Sequence, residues 1–156
     1  MGKLVVESLD KKIRIKKLAN AVYKVLGQKA YLKVELVFSD GENMQYLNRT
    51  TRDVVSITDV LSYPSLEGIR GEVLEPEKCR IMMEGKYIFM GSIVLCEEKI
   101  KEQAKEYGNT EIEEREYLII HGLMHLFGYD HMTEEDKKQM RAKEKEVLAL
   151  LGRGEE

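Results

Sequence analysis

The sequence predicts an α+β fold, a small mixed β-sheet packed with helices, and three observations carry that expectation. Stretches with the two-residue alternation of half-buried strands are interspersed with stretches of helical period. One long apolar run, KYIFMGSIVLC (86–96), is rich in branched and aromatic residues and suits a central strand. Another, YLIIHGLMHLF (117–127), is apolar almost all round, which is the pattern of a buried helix. At 156 residues, 43% of them apolar, the chain is long enough to bury a core. It has no internal repeat, low-complexity tract or Gly/Ser/Pro-rich linker, so one domain over residues 1–156 is expected.

The elements follow in order. LVVESL (4–9) reads as a short strand. Over 11–26, Ile15, Leu18, Ala19, Val22 and Leu26 recur at helical spacing, with Gly27 as the stop. In YLKVELVFS (31–39), Leu32, Val34, Leu36 and Phe38 alternate, the period of a strand with one buried face. An Asp40-Gly41 turn introduces a short helix over ENMQYLNRT (42–50), and DVLSY (59–63) is a strand ended by Pro64. Residues 65–85 hold three glycines and no clear period, so they are expected to form a long loop or lid. After the central strand, EEKIKEQAKEY (97–107) is a helix stopped by Gly108. Thr110 and Glu113 have the spacing of a capping box and open the next helix, which runs to Phe127 and stops at Gly128. Thr133, with Asp136, caps a final amphipathic helix over 134–151.

Composition narrows the function classes. No apolar stretch is long enough to span a bilayer, and the N-terminal MGKLVVESLDKK meets charge too soon for a signal peptide. A cytoplasmic protein without a membrane partner is therefore expected. Cys79 and Cys96 stand in no CxxC pair and read as small semi-buried residues. The net charge of −3 gives no global attraction to nucleic acid, so any such contact must use a local patch. KKIRIKK (11–17) is one basic stretch, and the solvated face of a helix explains it.

The chemistry concentrates in HGLMHLFGYDH (121–131), which contains all three histidines of the chain. His121 and His125 are separated by about 40° around a helix, so both imidazoles lie on one face, one turn apart. Zincin helices use this spacing to hold a metal, and a zincin-like metal-bearing central helix is expected. His131 would point away if the helix continued, but Gly128 permits a positive φ and lets the Gly128-Tyr129-Asp130 turn bring it back. Three imidazoles with a fourth position open mark a catalytic rather than a structural zinc site, although they also suit nickel, copper or iron. A core histidine satisfied by backbone is the ordinary alternative for one such residue and explains three poorly. Where HExxH proteases carry their general-base glutamate, this chain has Gly122, which also fits close packing of helix on sheet. Asp130 is either a carboxylate that orients a histidine or a turn former.

HGLMHLFGYDH resembles the H-G-x-x-H-L-x-G-Y-D-H signature of the YbeY family, bacterial endoribonucleases of rRNA maturation. LNRTTRDVVSITDVLSYP (47–64) is similar to that family's L-N-x-x-Y-R-x-x-D-x-x-T-D-V-L-S-F-P block, and MGSIVLC (90–96) to its L-G-D-I-x-I-C strand. Thr51, Val55 and Ser92 depart from these patterns, Ser92 replacing an acid, while Arg52 and Thr58-Asp59 are retained. The resemblance implies one zinc ion on His121, His125 and His131 and a catalytic arginine at Arg52. It also implies single-strand-specific cleavage of RNA in 16S rRNA 3′-end maturation and ribosome quality control, with ribosomal partners. A metalloprotease-like hydrolase and a non-enzymatic ribosome assembly factor with a structural metal are the rival expectations.

Overall fold

A computed structural model of the chain describes residues 2–8, 15–40 and 60–152. The described residues form a mixed five-stranded sheet and four helices. The strands are β1 (Lys3–Glu7), β2 (Tyr31–Ser39), β3 (Val60–Pro64), β4 (Met83–Glu84) and β5 (Tyr87–Cys96). The helices are α1 (Ile15–Val25), α2 (Glu97–Tyr107), α3 (Glu111–Leu126) and α4 (Glu134–Leu150). The main path of the sheet runs β1-β2-β5-β3, with β4 paired to β5.

The alternation in YLKVELVFS fixes the orientation of β2. Leu32, Val34 and Leu36 are buried, while Glu35 and Val37 face outward. β2 pairs in parallel with β1 on one side and with β5 on the other, with a register shift at Lys33/Val34. β5 is central, as its unbroken apolar run predicts, and buries Ile88, Met90, Ile93 and Leu95 without measurable exposure. β3 runs antiparallel to β5. Pro64, its last residue, is tolerated because β3 ends the sheet path and needs no ladder donor on its outer side.

Residues 65–85 hold more regular structure than their lack of period suggests. Two 3-10 turns, Pro76–Lys78 and Arg80–Met82, lead into β4, which pairs antiparallel with the start of β5. Gly85 has φ 62° between these two strands, the conformation that a two-residue hairpin connection needs. A strand as short as Met83–Glu84 shows no alternation, so its pairing with β5 has no sequence signal. Buried Gln28 pins the segment to α1: its Nε2 donates to the Glu72 carbonyl at 2.8 Å, and its Oε1 accepts from the Leu74 N–H at 3.0 Å.

The core lies between the helices and one face of the sheet. α1 contributes Leu18, Ala19 and Val22, and α4 contributes Met140, Val147 and Leu148. The second half of α3 contributes Ile119, Ile120, Leu123 and Met124, followed by Phe127 beyond its end. Each of these side chains larger than alanine stabilises the fold by about 1.5–3 kcal/mol through its removal from water. α3 lies against β3 and β5, and Gly122 packs on β5. A Cβ on Gly122 would stand 3.0 Å from Cγ2 of Ile93. A smaller cluster of Leu61, Val94 and Cys96, joined by Tyr63, lies apart from this core. Cys79 and Cys96 are both free and buried. Among the described residues no helix is long and apolar enough to cross a membrane. The short helix expected over 42–50, and residues 11–14 of the helix expected over 11–26, lie outside the described residues.

Candidate metal centre

α3 begins with the predicted capping box. Oγ1 of Thr110 accepts from the Glu113 N–H at 3.1 Å, and the Glu113 carboxylate accepts from the Thr110 N–H at 2.9 Å. Starting the helix there sets its rotation, so His121 and His125 emerge together at the end of the buried face.

The helix stops with a Schellman motif. The Gly128 N–H donates to the His125 carbonyl and the Tyr129 N–H to the Met124 carbonyl, both at 3.0 Å. Gly128 has φ 97°, and a Cβ there would stand 1.8 Å from the Ile69 carbonyl oxygen. Backbone conformation and contact therefore both require glycine. The reversal carries His131 back against α3. Ring centroids lie 4.7 Å apart for His121 and His125, 5.1 Å for His125 and His131, and 5.8 Å for His121 and His131. One ring nitrogen from each histidine lies within 4.8 Å of the others, a group that could hold a metal ion.

Protons within the cluster are arranged by a residue that the sequence did not single out. Glu144 of α4 is only 2% exposed, and its Oε2 lies 2.7 Å from Nδ1 of His121. A buried carboxylate must be compensated, and three groups do so. The His121 ring N–H, the Tyr117 hydroxyl at 2.9 Å and the Arg141 guanidinium at 3.3 Å all donate to it. Burial pushes the Glu144 carboxyl up, but these bonds outweigh it and hold the group below the usual glutamate range. The same burial, together with Glu144, raises the Tyr117 phenol far above its ordinary value, so it remains a donor.

An ionised Glu144 favours a proton on Nδ1 of His121, and in the neutral ring that makes Nε2 the acceptor. That Nε2 faces Nε2 of His125 at 3.2 Å. A carboxylate behind a ring, with the opposite nitrogen turned toward the other histidines, is the arrangement that orients metal-binding histidines. The donor set fits a metal ion. Glu144 escaped the sequence reading because it stands 23 residues from His121. One of four glutamates in a charged amphipathic helix looks like a surface residue, and only its position on the buried side of 134–150 distinguishes it.

Asp130 proves to be a turn residue. Its Oδ1 accepts from the Met132 N–H at 3.2 Å and its Oδ2 from Arg70 at 3.3 Å. Arg70 also donates to Asp136 at 2.6 Å and to Gln139 at 3.1 Å, tying the 65–72 segment to the turn that carries His131 and to the start of α4. The Gly71 N–H donates to the Phe127 carbonyl at 2.8 Å and completes this attachment. The hydroxyl of Ser92 donates to Glu35 at 3.3 Å, so a carboxylate does stand beside that strand position, supplied by β2. Arg52, with Thr58 and Asp59, lies outside the described residues.

A family model described as Endoribonuclease YbeY matches residues 4–152. Among similar proteins, the endoribonuclease YbeY of Clostridium acetobutylicum is 39% identical, with 86% of this chain and 84% of that protein covered. The protein of the same name from Caldanaerobacter subterraneus is 44% identical, covering 78% and 75%. That of Bacillus cereus is 34% identical, covering 97% and 98%. The solution structure of TM1509 from Thermotoga maritima shares the fold, with TM-score 0.53 over 97% of this chain and 92% of that one at 24% identity. With a matched region that takes in all but the first residue of the described strands, the four described helices and the three clustered histidines, the chain belongs to the endoribonuclease YbeY family.

Proposed function

We propose that this chain is a zinc-dependent, single-strand-specific endoribonuclease acting in 16S rRNA 3′-end maturation and ribosome quality control. In this reading it is one domain over residues 1–156 that works in the cytoplasm with the ribosome or ribosomal proteins as partners. The observation that carries it is the convergence of His121, His125 and His131 within 4.8 Å in a chain of this family. The three histidines hold one zinc ion, and Glu144 keeps His121 in the tautomer that binding needs. Bound there, zinc supplies Lewis acidity toward a phosphoryl oxygen. The chain's own share is to hold the RNA and balance its charge. Arg52 is assigned to the phosphate, because a guanidinium bridges two oxygens and keeps its charge at any working pH.

A metalloprotease reading is disfavoured by one contact. Any side chain at position 122 would press on Ile93 of β5, so the position of the protease glutamate is occupied by packing. The test is cleavage of single-stranded rRNA by wild type, His125→Ala and Arg52→Ala, with bound metal measured for each. Wild type is expected to cut and to carry one zinc. His125→Ala should lose both cleavage and metal, and Arg52→Ala should keep metal and lose cleavage. Equal cutting by all three would trace the activity to a contaminant and overturn the proposal. Retained metal with no RNA cleavage by any of them would favour an assembly factor.

A further inference from the structure

One face of α4 is cationic. Lys137, Arg141 and Lys145 recur every fourth residue, and Lys138 stands beside them. At about 100° per residue these four side chains fall within roughly 100° of the helix circumference. A shallow groove of about 370 Å³ follows this face, lined by Glu134, Lys137, Lys138, Arg141, Ala142 and Lys145. Glu134 is its single acid, 3.4 Å from Lys137. Four cations stand against two carboxylates, Glu134 and the buried Glu144 that pairs with Arg141, a local excess on a chain whose net charge is −3. The remaining acids of α4 lie elsewhere: Glu135, Asp136 and Glu146 project from other sides, and Glu144 turns inward.

The cationic face is linked to the histidine cluster by a chain of two hydrogen bonds. Arg141 donates to Oε1 of Glu144 at 3.3 Å, and the other oxygen of that carboxylate bonds His121 at 2.7 Å. One carboxyl group therefore separates the groove from the candidate metal centre.

We propose that this face of α4 carries the phosphodiester backbone of single-stranded RNA toward the histidine cluster. The proposal rests on the endoribonuclease reading above and adds the path of the substrate. Cations one turn apart, about 6 Å along the axis, offer a repeating track to a polymer with one charge per nucleotide. Lysine suits this role because its flexible point charge follows a phosphate without reading sequence. The six lining residues include no aromatic, so the contact is with phosphates rather than stacked bases.

The test compares wild type with the triple variant Lys137→Gln, Lys138→Gln, Lys145→Gln. Lys143→Gln, on the opposite side of α4, serves as the charge control. Binding of a labelled single-stranded RNA oligonucleotide is followed by fluorescence anisotropy across a salt series. Metal content, thermal unfolding and cleavage at saturating RNA are measured alongside. The triple variant is expected to bind about tenfold or more weakly at low salt, with a salt slope shallower by about 2, some 0.7 for each lost phosphate contact. Its metal content and saturated cleavage should match wild type, and Lys143→Gln should bind as wild type does. An unchanged affinity and slope in the triple variant, with wild type still cutting RNA, would overturn this path and leave the endoribonuclease reading standing. A wild type that neither binds nor cuts RNA would overturn both. Loss of binding to polyglutamate with RNA affinity unchanged would assign the face to an acidic protein and overturn the RNA proposal.

Discussion

Glu144 and Gly128 do different work for the same three rings. Glu144 fixes which nitrogen of His121 carries the proton, so Glu144→Gln, which can present an N–H there, should disturb the ring while preserving volume. The expected result is a loss of about 10–100-fold in metal affinity, read by competition with a chelator. Acid titration gives a second reading. The folded-state carboxyl lies below its ordinary value of 4.5, so it contributes stability above that pH and loses it as pH falls through the folded value. The difference in Tm between metal-free wild type and Glu144→Gln should therefore shrink as pH drops below 4.5. Gly128 acts through the backbone. Gly128→Ala forces a side chain into positive φ and against the Ile69 carbonyl, and should cost at least about 2 kcal/mol in urea unfolding. A variant as stable as wild type would show that the turn relaxes freely.

Elements matter here through their ends. α3 starts at a capping box and stops at a Schellman motif, and those two fixed points determine where its histidines emerge. The turn that follows is held from outside by Arg70, which grips Asp130, Asp136 and Gln139 at once. Arg70 is a positioning residue in this reading, acting on His131 through the turn. Exposed ion pairs of this kind contribute little to stability. Arg70→Ala is thus expected to leave Tm nearly unchanged while weakening metal binding several-fold, because the third ligand loses its anchor. Unchanged metal affinity would reduce Arg70 to a loop staple. The path along α4 belongs to this scale too, since it depends on the rotation of one helix relative to its neighbours.

At the scale of the molecule, the core does not run through the histidines. Ile93, Leu95, Ile119, Leu123 and Phe127 are buried in one cluster of apolar side chains. Removing metal should therefore leave the chain folded and lower its stability only by linkage, about 2.7 kcal/mol when free metal had been a hundredfold above Kd. Thermal unfolding with and without chelator, followed by circular dichroism, checks this. Collapse of secondary structure on chelation would mean that the metal is structural. Much of this architecture was legible beforehand. The alternation in 31–39, the apolar run in 86–96 and the caps at Thr110, Gly128 and Thr133 all correspond to observed element ends or buried faces. The strand Met83–Glu84 was not legible, because two residues are too few to show a period and the pairing is decided by β5.

What the sequence determined by itself is what backbone hydrogen bonding decides over a few residues. It put His121 and His125 on one face, ended their helix at Gly128, and turned the chain so that His131 could return. Helical period and positive φ are local properties, and eleven residues contain all of them. Only the tertiary structure decided which groups surround the rings. Glu144 meets His121 from 23 positions away, and Arg70 meets Asp130 across 60. The Ile69 carbonyl that makes Gly128 obligatory belongs to a segment with no period of its own. Such contacts depend on how helices and loops pack on the sheet, and a carboxylate becomes a buried partner only once packing has removed it from water.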